Sequence, residues 1–152
     1  LDVKGASTAE WANVQQWGYV GGANQQWIVQ PVDSYPSPAA RYYAITAKHS
    51  GKCLAVNGSN VEQQEYASSD SQRMELRPVG DGYFSISDRG SGNCLTVENQ
   101  NTSNSANVVI APYENLDSQK WKVESVGYGW YKICAKHSNK CLDAPIAIVC
   151  LR

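Results

Sequence analysis

Five cysteines and two histidines carry the most versatile side-chain chemistry in this sequence: Cys53, Cys94, Cys134, Cys141 and Cys150, with His49 and His137. Cys134-x2-His137-x3-Cys141 has a spacing that zinc accepts, but three ligands on one short hairpin leave the metal without its usual fourth. His49 recurs at the equivalent place in Ala47-Lys48-His49, with Thr46 where Cys134 stands. Both histidines are therefore read as turn residues of a repeat, and neither a metal nor a cofactor is expected. Cys134 and Cys141 can instead face each other across a hairpin and form a disulfide, while Cys53 and Cys94 are expected as small apolar core groups. The odd count leaves at least one cysteine unpaired or paired between chains. With both histidines in turns, a Ser-His-Asp arrangement would need unusual coincidences.

The elements that must position these residues are legible as repeats. Asn24-Gln25-Gln26-Trp27, Ser71-Gln72-Arg73-Met74 and Ser118-Gln119-Lys120-Trp121 each place Gln two residues before a large apolar side chain, and the glutamines fall 47 residues apart. A second marker recurs as Lys52-Cys53-Leu54-Ala55-Val56, Asn93-Cys94-Leu95-Thr96-Val97 and Lys140-Cys141-Leu142-Asp143-Ala144, with Leu1-Asp2-Val3 as a truncated copy. A third runs Tyr43-Ala44-Ile45, Tyr83-Phe84-Ser85-Ile86 and Tyr131-Lys132-Ile133. The apolar residues alternate over short stretches, as half-buried strands require, and no sustained helical period is present. The first unit lacks an opening Tyr-x-Ile strand and the C-terminus has one to spare. Placing the last segment before the first gives three whole units, so the reading is an all-β closed arrangement in which the C-terminal hairpin completes the N-terminal repeat. Residues 1–152 form one domain on this reading, with units of about 1–41 plus 130–152, 42–81 and 82–129.

Composition narrows the function. The chain has 152 residues, 42% hydrophobic and 18% charged, with 13 Lys plus Arg against 14 Asp plus Glu. A formal charge of -1 and the lack of any basic block argue against nucleic acid as a partner, and no apolar run is long enough for membrane insertion. Five Trp and nine Tyr stand against one Phe, a balance suited to sites with one apolar and one wet face. Most of these are expected at half-buried strand edges. The chain opens on Leu1 with no signal segment, so it is expected to be a processed chain or an excised module. Abundant Ser, Asn and Gln and two sequons, at Asn57 and Asn101, favour a secreted or extracellular protein.

The three markers together resemble the ricin-B-type lectins, the β-trefoil carbohydrate-binding modules (family 13) with a Gln-x-Trp motif in each repeat. That resemblance implies twelve strands in three pseudo-equivalent subdomains, with Trp27, Met74 and Trp121 in the core. It implies non-catalytic binding of galactose-type or plant-polysaccharide sugars in a shallow pocket, with no deep cleft for paired catalytic carboxylates. An enzyme is accordingly not expected. The family's pocket positions are filled in the first unit by Asp2, Gln15, Trp17, Asn24 and Gln25. Asp2 would accept sugar hydroxyls, Gln15 and Asn24 would donate and accept, Trp17 would cover the apolar sugar face, and Gln25 would brace Asp2 or Asn24. The competing reading of Asp2 is a frayed terminal residue. Asp143 also follows a marker Leu, but nothing downstream supplies a platform, so Leu142-Asp143 is read as a duplicated edge. The second unit has Ala55 and Ser71 in place of Asp and Asn, leaving Gln64 and Tyr66; the third has Thr96, Val109 and Ser118. Both are expected to be degenerate, with Tyr66 or Tyr113 as an altered subsite. Trp11 is either a second sugar contact or a loop anchor. One shallow site would need avidity, from an oligomer or from tethering within a larger protein. The alternative class is a protein-interaction or inhibitor scaffold with relic sugar sites.

Overall fold

Alternating segments give each strand one apolar face, and folding turns those faces onto a common axis. The computed structural model describes residues 3–32, 42–144 and 146–149. Its strands are β1 (Val3–Ala6), β2 (Ala12–Asn13), β3 (Gln15–Trp17), β4 (Trp27–Pro31), β5 (Tyr42–Ala47), β6 (Cys53–Asn57), β7 (Asn60–Gln64), β8 (Met74–Gly80), β9 (Tyr83–Asp88), β10 (Cys94–Val97), β11 (Val108–Ala111), β12 (Trp121–Gly127), β13 (Trp130–Ala135), β14 (Cys141–Asp143) and β15 (Ile146–Val149). The helical segments are four 3-10 turns of three residues each, three of them carrying the recurring glutamines.

Thirteen strands, β2 to β14, form one antiparallel sheet. β2 and β3 are a single strand interrupted at Val14, where it leaves β7 and joins β14. Counted as one, they bring the sheet to the twelve strands of a β-trefoil. The hairpin of β13 and β14 joins the N-terminal segment: Tyr131 pairs with Trp27, and Cys141, Leu142 and Asp143 pair with Trp17, Gln16 and Gln15. Among the described residues β1 pairs with β15 alone, apart from that sheet, Val3 opposite Val149 and Ala6 opposite Ile146.

The core is built of threefold sets. Ile45, Ile86 and Ile133, Leu54, Leu95 and Leu142, Val14, Val61 and Val108, and the motif residues Trp27, Met74 and Trp121 are all fully buried. Each buried side chain of this size contributes about 1.5–3 kcal/mol of transfer free energy. The two indoles are also satisfied at their polar edge: Trp27 Nε1 donates to Leu142 O at 3.2 Å and Trp121 Nε1 to Leu95 O at 3.0 Å. Around the pseudo-threefold axis, three asparagines 47 residues apart close a ring. Asn13 Nδ2 donates to Asn107 Oδ1 (2.7 Å), Asn107 Nδ2 to Asn60 Oδ1 (3.0 Å) and Asn60 Nδ2 to Asn13 Oδ1 (2.8 Å).

The cysteines follow the same symmetry. Cys134 and Cys141 face each other between β13 and β14 and are joined in a disulfide. The equivalent pairs are Thr46 with Cys53 and Ser87 with Cys94, and Cys53 and Cys94 are buried free thiols. Burial pushes both thiols up from the ordinary value, which keeps them protonated and unreactive. The disulfide takes two of the three groups that matched a zinc spacing. His49 and His137 lie in turns, each donating Nε2–H to a carbonyl oxygen, of Ser7 (2.6 Å) and Asn101 (2.9 Å). Cys150 lies outside the described residues.

Candidate functional site

β3 and β14 place Gln15 directly opposite Asp143, and the 3-10 turn Ala23–Gln25 brings Asn24 to the same carboxylate. Gln15 Nε2 donates to Asp143 Oδ2 at 3.0 Å and Asn24 Nδ2 to Asp143 Oδ1 at 2.6 Å. Asn24 itself is anchored by Ala144, whose N–H donates to Asn24 O at 3.1 Å. Gly22 makes room for it: a Cβ there would lie 2.5 Å from Asn24 Oδ1. Two residues along the strand from Gln15, and so on the same face, stands the half-buried indole of Trp17. The result is a carboxylate, two amides and a flat aromatic face gathered at one edge of the barrel.

Asp143 is buried, and burial pushes its carboxyl above the ordinary value, opposed by the Gln15 amide, the charge of His49 and the Asn24 amide. Two hydrogen bonds use about half of the four lone-pair sites of a carboxylate. The others remain for hydroxyl donors. Burial likewise holds His49 below its ordinary value, against the Ser7 carbonyl and the charge of Asp143.

Asp2 lies outside the described residues. The carboxylate opposite Gln15 is that of Asp143, and Val3 belongs to β1, which pairs with β15. β14 is held in this place by its pairing with β3 on one side and with β13 on the other, to which the disulfide ties it. Gln25 makes other contacts than the expected ones to Asp2 or Asn24. It is fully buried and braces the loop after Trp17, with Nε2 donating to Gly18 O (3.0 Å) and Oε1 accepting from Val20 N–H (2.8 Å). Gln72 and Gln119 hold the same loop in the other repeats, so this glutamine is architectural.

Strand register also fixes the equivalents of the site. Ala55 faces Glu62 and Cys53 faces Gln64 in the second repeat; Thr96 faces Val109 and Cys94 faces Ala111 in the third. Gln64 therefore stands at the place of Trp17, and the Gln64-x-Tyr66 pair is out of register with Gln15-x-Trp17. Neither repeat has an aromatic platform on that strand. Tyr66 and Tyr113 are both exposed and line separate clefts beside Cys53 and Cys94. Their counterpart Tyr19 has Lys132 Nζ 5.1 Å from its ring centroid.

A family model described as ricin-type beta-trefoil lectin domain-like matches residues 1–67, 36–111 and 70–147, three overlapping segments that together span most of the chain. Among solved structures, the designed threefold-symmetric protein ThreeFoil is 40% identical with a TM-score of 0.74, over 83% of this chain and 90% of that one. The exo-beta-1,3-galactanase 1,3Gal43A of Clostridium thermocellum is 22% identical with a TM-score of 0.63, over 77% of this chain and 32% of that one. A GlcNAcα1-4Gal-releasing endo-β-galactosidase of Clostridium perfringens is 17% identical with a TM-score of 0.58, over 80% and 32%. This chain thus spans about a third of each of the two clostridial enzymes. No curated protein sequence matches the chain.

Proposed function

The chain belongs to the ricin-type beta-trefoil lectin domain-like family, and from that premise we propose that it is a non-catalytic sugar-binding domain with one working pocket, formed by Asp143, Gln15, Asn24 and Trp17. The carrying observation is the carboxylate of Asp143 held by two amides, one from β3 and one from the Ala23–Gln25 turn. Hydrogen-bonded on one side, it is fixed in orientation, and its free lone pairs can accept hydroxyls through charge-assisted bonds. Trp17 covers the apolar C–H face of a pyranose. The ligand class we assign is galactose-type sugars, as free residues or within a polysaccharide outside the cell. A single wet pocket of this kind binds with a Kd on the order of 0.1 to 1 mM, about -4 to -5.5 kcal/mol. Useful retention would then come from several copies or from tethering to a larger protein.

The test is retention on a galactose matrix together with thermal melting. Asp143→Asn keeps the shape but loses the charge, and is expected to weaken binding at least about tenfold, since charge-assisted bonds are roughly twice as strong as neutral ones, with a melting temperature close to wild type. Asp2→Ala is expected to change neither. Loss of retention in Asp2→Ala with survival in Asp143→Asn would return the pocket to Asp2 and sink this assignment.

A further inference from the structure

Positions 11, 58 and 105 are 47 residues apart and share one backbone conformation, with φ of 63° at Trp11, 62° at Gly58 and 65° at Ser105. This is the left-handed region, which glycine enters freely and a bulky aromatic residue enters only at a cost. Packing does not offset that cost, because Trp11 remains 56% exposed. Nor is the loop loose. Gln63 Nε2 donates to both Ser7 O (2.9 Å) and Ala9 O (3.0 Å), His49 donates to Ser7 O, and Trp11 N–H donates to Gln63 O (2.9 Å). The Glu10 carboxylate accepts from Glu65 N–H at 3.1 Å and pairs with Lys52 at 3.3 Å. A strained, solvent-facing indole is thus presented on a clamped loop.

Its surroundings indicate what it presents to. Ala12 pairs with Gln63, which sets Trp11 beside Gln64, the residue at the second repeat's platform position. Trp11 is four residues before Gln15, so the two Cα atoms lie within about 14 Å. The Lys48-His49 turn adjoins both places: His49 holds Ser7 in the Trp11 loop, and Lys48 N–H donates to Gln26 O (2.9 Å), two residues from Asn24.

We propose that Trp11 is a second stacking platform for a sugar residue of the same glycan chain whose neighbour occupies the Asp143 pocket, so that the protein reads an oligosaccharide and not a single sugar. This rests on the sugar-binding reading above. The glutamates and amide beside the indole suit a neutral sugar, whose hydroxyls can donate to Glu10, Glu65 and Gln64.

The experiment compares wild type with Trp11→Gly by calorimetric titration with galactose and with β-linked galactotriose, alongside thermal melting. The wild type is expected to bind the trisaccharide more tightly than galactose. Trp11→Gly is expected to leave galactose affinity unchanged, to lower trisaccharide affinity roughly three- to tenfold, and to melt at the same or a higher temperature, as Gly58 shows that glycine fits this turn. Equal trisaccharide affinity in both proteins overturns the proposal. So does a wild type with no preference for the trisaccharide, or a variant whose only change is loss of self-association in sedimentation, which would make the indole a protein contact. If the wild type binds neither sugar, the pocket reading itself falls first. A Trp11→Asn variant, a residue that also tolerates the left-handed region, guards against an effect peculiar to glycine.

Discussion

On the proposed reading, Asp143 has two tasks that respond to pH with opposite sign. Its folded pKa lies above the ordinary 3.8 because of burial, so its contribution to stability is greatest below the unfolded value and is lost as pH rises through the folded one. Sugar binding needs the ionised form as acceptor, so it is present above the raised value and lost as pH falls through it. Titration of galactose against Trp fluorescence from pH 7 downward should show affinity falling before an ordinary aspartate would protonate, and Asp143→Asn should show a weak affinity that does not follow that curve. A wild-type affinity that is flat down to pH 3.8 would contradict the assignment of the acceptor. At this scale the sequence grouped Gln15, Trp17 and Asn24 with Asp2, which lies outside the described residues, whereas the carboxylate set against Gln15 and Asn24 in the structure is Asp143. Leu1-Asp2 and Leu142-Asp143 are the same dipeptide, and nothing local to either says which one will face Gln15. Gln25 was misread for a related reason: a buried amide that holds a loop carries the same side chain as one that holds a ligand.

The hairpin of β13 and β14 shows how an element is secured in three ways by one plan. The slot that carries the disulfide in one repeat carries Thr46 with Cys53 in the second, with Thr46 Oγ1 3.2 Å from Cys53 Sγ, and Ser87 with Cys94 in the third. Cys134→Thr reproduces the second repeat's arrangement in the first. It removes a bridge closing a separation of seven residues, which is worth roughly 2 to 3 kcal/mol in the chain-entropy account. The variant should therefore fold and retain its pocket geometry while melting several degrees lower. A wild-type melting temperature in Cys134→Thr would show that the bridge adds nothing to the hairpin. The elements themselves were readable from the sequence because turn residues and period-two alternation recur at a constant spacing. The division of one strand into β2 and β3 was not, because it follows from Val14 passing between two neighbouring strands, a fact of the closed sheet.

The ring of Asn13, Asn60 and Asn107 joins the three repeats at a single point, each amide donating to one neighbour and accepting from the other. Removing one member leaves the other two short of a partner, so Asn60→Ala should cost about 1 to 3 kcal/mol and lower the melting temperature by a few degrees or more. It should do so in one cooperative transition; separate melting of a repeat would show that the ring is not what couples them. The paired ends of the chain have a different mechanical character. Val3 lies opposite Val149 and Ala6 opposite Ile146, so the outermost pair of the antiparallel ladder is the one nearest both termini. A force that draws the two ends apart loads these hydrogen bonds one after another, as a zipper opens, and never all together in shear. The β1–β15 ladder therefore acts as a low-force tear strip, yielding link by link before tension reaches the disulfide-tied hairpin and the barrel that carries the pocket.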